Sequence, residues 1–103
     1  MPLKSAKNLN TKTLQDSKNA ASYLSAVYEE CVIDGQFDAF LIAIRDLIQA
    51  SSSMSEVAET AQVGRQALYN MLSENGNPQL HNFASILNAV GLKLRFEPEE
   101  EAA

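Results

Sequence analysis

Cysteine, tryptophan and glycine are scarce in this chain, with one Cys, no Trp and four Gly in 103 residues. Cys31 has no second thiol to bridge. Together with His81, the only imidazole, it falls short of the three or four ligands that a zinc site requires. The lack of paired cysteines fits a reducing compartment, and a cytoplasmic protein is expected. Long apolar runs are missing as well. Nothing approaches the roughly 18–20 residues that span a bilayer, and the opening MPLKSAKNLNTKTLQDS has no signal-peptide-like hydrophobic stretch. Phosphate-cradling glycine motifs do not occur, Asp34, Asp38 and Asp46 lie on different turns without a histidine, and His81 has no Ser or Cys partner at a useful spacing. Neither an enzyme nor a metal or cofactor is expected.

Positive charge is also in short supply. Eight Lys and Arg stand against 13 Asp and Glu, and the net charge of −5 by itself disfavours a partner as anionic as nucleic acid. The distribution is uneven. Residues 1–18 carry a net +3, from Lys4, Lys7, Lys12 and Lys18 against Asp16, while Glu97, Glu99, Glu100 and Glu101 make the end acidic. A DNA-binding role must therefore be argued from pattern and local charge.

What the chain has is helical periodicity. Residues 1–15 are polar without an apolar period and read as a flexible basic arm, residues 16–96 as one domain, and 97–103 as an acidic tail. From Asp16, a candidate cap together with Ser17, the residues Ala20, Leu24, Val27, Tyr28 and Cys31 recur on one helical face that Gly35 ends. Phe37, Phe40, Leu41, Ile44, Leu47 and Ile48 make the core stripe of a second helix. Ser53-Met54-Ser55-Glu56 matches a capping box and starts a short third helix whose apolar face is Val57, Ala58 and Ala61. A fourth helix runs from about Arg65 to Ser73, and Glu74–Pro78 is a loop. Leu80, Phe83, Ala84, Ile86, Leu87 and Val90 form the apolar face of a fifth, which Gly91 ends. The fold class is all-α with five helices. One segment departs: Leu92, Lys93, Leu94, Arg95 and Phe96 alternate apolar and charged and read as a short C-terminal β-strand before Pro98. Its backbone groups need a partner from outside the domain, either the same strand of a second copy across a two-fold axis, which gives a homodimer, or the sheet of another protein.

The fourth helix is the segment that carries function. At 100° per residue, Arg65, Tyr69, Ser73, Gln66 and Asn70 fall between about 0 and 140°, and Ala67, Met71, Leu68 and Leu72 between about 200 and 340°. A guanidinium, two amides, a phenol and a hydroxyl thus share one face. Arg can grip guanine N7 and O6, Gln or Asn can pair with adenine, and hydroxyls can reach phosphate. Gly64 at the helix start lets a phosphate approach the backbone. Val57, Ala58, Ala61, Val63, Leu68 and Met71 stand at the spacing that locks a helix-turn-helix, with Ala58 as the small contact.

At this point the residues resemble a family. Met54-Ser55-Glu56-Val57-Ala58, Leu68-Tyr69 with Leu72-Ser73, Gly76-Asn77-Pro78 and Ala89-Val90-Gly91-Leu92-Lys93-Leu94 look like the probable addiction-module antidote proteins, antitoxins with a lambda-repressor-like DNA-binding domain. Ala21-Ser22-Tyr23-Leu24 and the helix from Phe40 to Ile48 match too, so the resemblance covers about residues 16–96. It implies a homodimeric antitoxin that represses its own operon by binding double-stranded operator DNA and that neutralises a RelE-like toxin. Carried onto this chain, the recognition positions are Arg65, Gln66, Tyr69 and Asn70. Gln62 stands at the turn position where Gly is preferred, Gly64 where Ser or Thr commonly caps the second helix, and Gln79 where the family often has a capping Thr or Ser. Two other readings are open: a repressor without a toxin, and a toxin-binding module with little DNA affinity that uses the basic arm, the strand or both.

Overall fold

A computed structural model describes residues 11–99, which form five helices. They are α1 (Thr11–Asp34), α2 (Asp38–Ser51), α3 (Met54–Ala61), α4 (Arg65–Met71) and α5 (Leu80–Ala89). The first ten residues of the expected arm and the acidic tail beyond Glu99 lie outside the described residues.

The first helix starts earlier than its apolar period indicates. Thr11–Gln15 are helical, so Asp16 and Ser17 lie inside α1 rather than capping it. The physical reason is cooperativity: once later turns are nucleated by packing, extending the helix backwards gains one hydrogen bond for each residue fixed and needs no apolar face. The expected stops are in place. Gly35 takes φ +78°, and its N–H donates to the Cys31 carbonyl at 2.7 Å. At the end of α5, Gly91 has φ +85°, the Gly91 N–H donates to Asn88 O and the Leu92 N–H to Leu87 O. That pair of bonds is a Schellman motif, and it turns Leu92 back onto the core.

The Ser53 half of the capping box at α3 forms as its spacing requires. Ser53 is extended, its Oγ accepts from the Glu56 N–H at 3.1 Å, and the Glu56 carboxylate accepts from Ser52 Oγ. Neither Gly64 before α4 nor Gln79 before α5 supplies a side-chain cap.

α1 packs on α2, and α3 is the hub, touching α2, α4 and α5. One continuous core results, with Ile44, Ile48, Val57, Leu68, Leu72 and Ile86 closed off from solvent. Each such aliphatic side chain contributes about 1.5–3 kcal/mol through burial. An aromatic chain ties α1, α2 and α5: Tyr28 meets Phe40 at 5.3 Å edge-on, and Phe40 meets Phe83 at 6.0 Å. Among the described residues no polar or charged side chain is buried.

Outside α4, three residues expected on core faces are exposed: Tyr28, Phe37 and Leu80. Leu80 has the right angle on α5 but sits in its first turn. Phe37 precedes α2 instead of lying on it, and stacks against Tyr28 at the open edge of the α1–α2 pair, 5.7 Å between ring centres. Residues 92–96 form no β-ladder among the described residues, none of which offers them a second strand.

Candidate nucleic-acid interface

The arrangement of α3 and α4 depends on three residues, Gln62-Val63-Gly64. Gln62 adopts a left-handed backbone, φ +61° and ψ +43°. Its N–H donates to Glu59 O and the N–H of Val63 donates to Ala58 O at 3.0 Å, the same two-bond turn that ends α5. Val63 thereby folds onto the core, and Gly64, extended, opens α4. Ala58, buried at this junction, is the small side chain expected there.

α4 is anchored by Leu68 and Leu72, neither of which is exposed at all, with Met71 half-buried beside them. The far side therefore has a fixed orientation. Gly64, Arg65, Gln66 and Asn70 are exposed, whereas Tyr69 and Ser73 are half-buried. The Gln66 amide Nε2 donates to Asn70 Oδ1 at 3.5 Å, a one-turn contact that aligns the two amides along the helix. Gln66 keeps its carbonyl oxygen as an acceptor and Asn70 its NH2 as a donor for outward contacts. Ser73 is differently occupied: its Oγ donates to the Asn70 carbonyl at 2.8 Å, so it secures the end of α4 and retains only acceptor capacity. Tyr69 packs its ring on the core.

One residue was missed from the outward face. Ala67, expected inside, is exposed. It lies at the edge of the inner sector, where the core of the first two turns does not reach, and its methyl group widens the presented surface by an apolar contact of the kind a thymine methyl accepts.

The loop after α4 is tight. A Cβ placed on Gly76 would come within 2.7 Å of the Met71 carbonyl carbon and 2.8 Å of the Asn70 oxygen, so only glycine lets the chain double back under the helix end. The Gly76 N–H closes this turn on Ser73 O at 2.9 Å. Elsewhere, Cys31 is a buried free thiol and His81 is exposed. Among the described residues no three His, Cys, Asp or Glu side chains gather as a metal site, and no helix is long and apolar enough to cross a membrane.

No curated protein and no solved structure matches this chain. A family model described as probable addiction module antidote protein does match, over residues 5–98, nearly the whole length. The stretch includes all five helices and the segment that follows them, and the chain belongs to the probable addiction module antidote protein family.

Proposed function

We propose that α3 and α4 form a lambda-repressor-like helix-turn-helix, that α4 reads the major groove of an operator upstream of the chain's own gene, and that two copies act together as a repressor. The observation that carries this reading is the division along α4 and its end: Leu68 and Leu72 are fully buried, while Arg65, Gln66 and Asn70 are exposed. Arg65 and Gln66 contact base edges, Asn70 extends that contact by one turn, and Gly64 admits a phosphate. Tyr69 and Ser73 hold the reading face from its flank. An antidote of an addiction module implies a toxin partner, and here a RelE-like protein fits. A toxin with a basic, RNA-binding surface would meet the acidic side of α1, where Glu29, Glu30 and Asp34 are exposed.

The direct test is a mobility shift of DNA from upstream of the gene with the full-length protein, paired with inspection of the neighbouring reading frame. A retarded band and a small basic protein of about 100 residues next door support the repressor-antitoxin reading. An unshifted probe at low salt removes the repressor role and leaves a toxin-binding module. A shift without such a neighbour leaves a stand-alone repressor.

A further inference from the structure

The chain leaves α5 through the Gly91 turn, and from Lys93 to Glu99 it is exposed, in no helix and no turn. Leu92 is half-buried and packed on the core, but Leu94 is 46% exposed and Phe96 95%. The residues from 92 to 99 alternate strictly. Leu92, Leu94, Phe96 and Pro98 occupy the even positions, and Lys93, Arg95, Glu97 and Glu99 the odd ones. In a strand this puts every apolar side chain on one face and every charge on the other. The charged face is ordered plus, plus, minus, minus, and such an order is complementary to itself when reversed.

We propose that this segment pairs antiparallel with the same segment of a second copy of the chain, with Phe96 on the two-fold axis. Centring the pair there sets Arg95 opposite the partner's Glu97 and Lys93 opposite the partner's Glu99, so all four charge pairs are attractive. Centring it on Arg95 brings two arginines face to face. A centre on Leu94 sets Lys93 against the partner's Arg95, and a centre on Glu97 opposes two carboxylates. Shifts by a single residue set charges against apolar side chains.

Proline fixes the hydrogen-bonding phase within that register. Pro98 has no N–H and must occupy a position whose nitrogen points away from the partner. With Phe96 on the axis, Pro98 faces Leu94 in a non-hydrogen-bonded pair, while Arg95–Glu97 and Lys93–Glu99 are the hydrogen-bonded pairs. The apolar face of the resulting ribbon collects Leu92, Leu94, Phe96 and Pro98 from both copies, continuous with the two cores through Leu92. The inference rests on the two-copy form of the proposed repressor and is independent of which residues touch DNA.

Sedimentation of the full-length protein at low ionic strength, without DNA, tests it. Wild type should be a dimer. R95E and E97R should each weaken the dimer about tenfold, and the double variant R95E/E97R should return to within about threefold of wild type. A double variant no tighter than either single one overturns the register. Cysteine cross-linking gives a second readout. Across a non-hydrogen-bonded pair the Cα atoms lie about 4.5 Å apart, within disulfide range, so F96C should cross-link two copies at least about tenfold faster than L94C. Cys31, being buried, does not compete. L94C reacting as fast as F96C overturns the axis position. A wild-type dimer unaffected by R95E removes the strand but leaves a two-copy repressor standing, whereas a wild-type monomer removes both.

Discussion

Gln62 holds the angle between α3 and α4 with a backbone conformation that side chains rarely adopt, at φ +61°. A left-handed L-residue costs about 1–2 kcal/mol, and a glycine there avoids most of it while losing about 0.4–1 kcal/mol through a freer unfolded chain. Gln62→Gly should therefore stabilise the protein by about 0.5 kcal/mol and raise the melting temperature by about 2–4 °C, measured by calorimetry. A lower melting temperature would mean that the Gln side chain makes a contribution the backbone argument omits. This position was legible in the sequence, since the turn called for glycine and Gln stood in its place. So were the positive φ of Gly35 and Gly91 and the cap at Ser53, because each depends on local chemistry within one turn. The exposures of Tyr28, Phe37, Ala67 and Leu80 were not legible. An angle on a wheel specifies direction, and burial depends also on how far along the axis the neighbouring helix extends.

At the scale of elements, α4 has only seven residues, too few for an isolated helix to persist in water. Its geometry is imposed by the core beneath it. Leu68→Ala should lower stability by about 3 kcal/mol, seen as a shift of the denaturant midpoint at constant slope, while Ala67→Ser one residue earlier should change it by less than about 0.5 kcal/mol. Equal effects at the two positions would show that α4 is not oriented as described. The five helices were readable because each buries a stripe that recurs with the helical period. The early start of α1 was not, because Thr11–Gln15 follow the nucleated helix without a stripe of their own. The strand reading at 92–96 depends on a second strand, and none is present among the described residues, so the alternation visible in the sequence has no ladder there.

At the scale of the whole molecule, a chain of net charge −5 gains little from general attraction to phosphate. On the proposed reading, specific contacts must carry the affinity for DNA, and a second copy would double them. One copy, with principal extents of 40 × 33 × 21 Å, would on that reading present a single recognition helix, and two copies would engage half-sites about 34 Å apart on one face of the duplex. Inserting about five base pairs between the half-sites, half a helical turn, should abolish binding of the dimer in a mobility shift, and unchanged binding would mean that each copy acts alone. The central claim, that the exposed side of α4 reads a duplex, is tested most directly by titrating wild type and Arg65→Ala against the same upstream DNA at low salt. The account predicts a loss of about 1–3 kcal/mol in affinity with the melting temperature unchanged. Identical titration curves for the two proteins would contradict it.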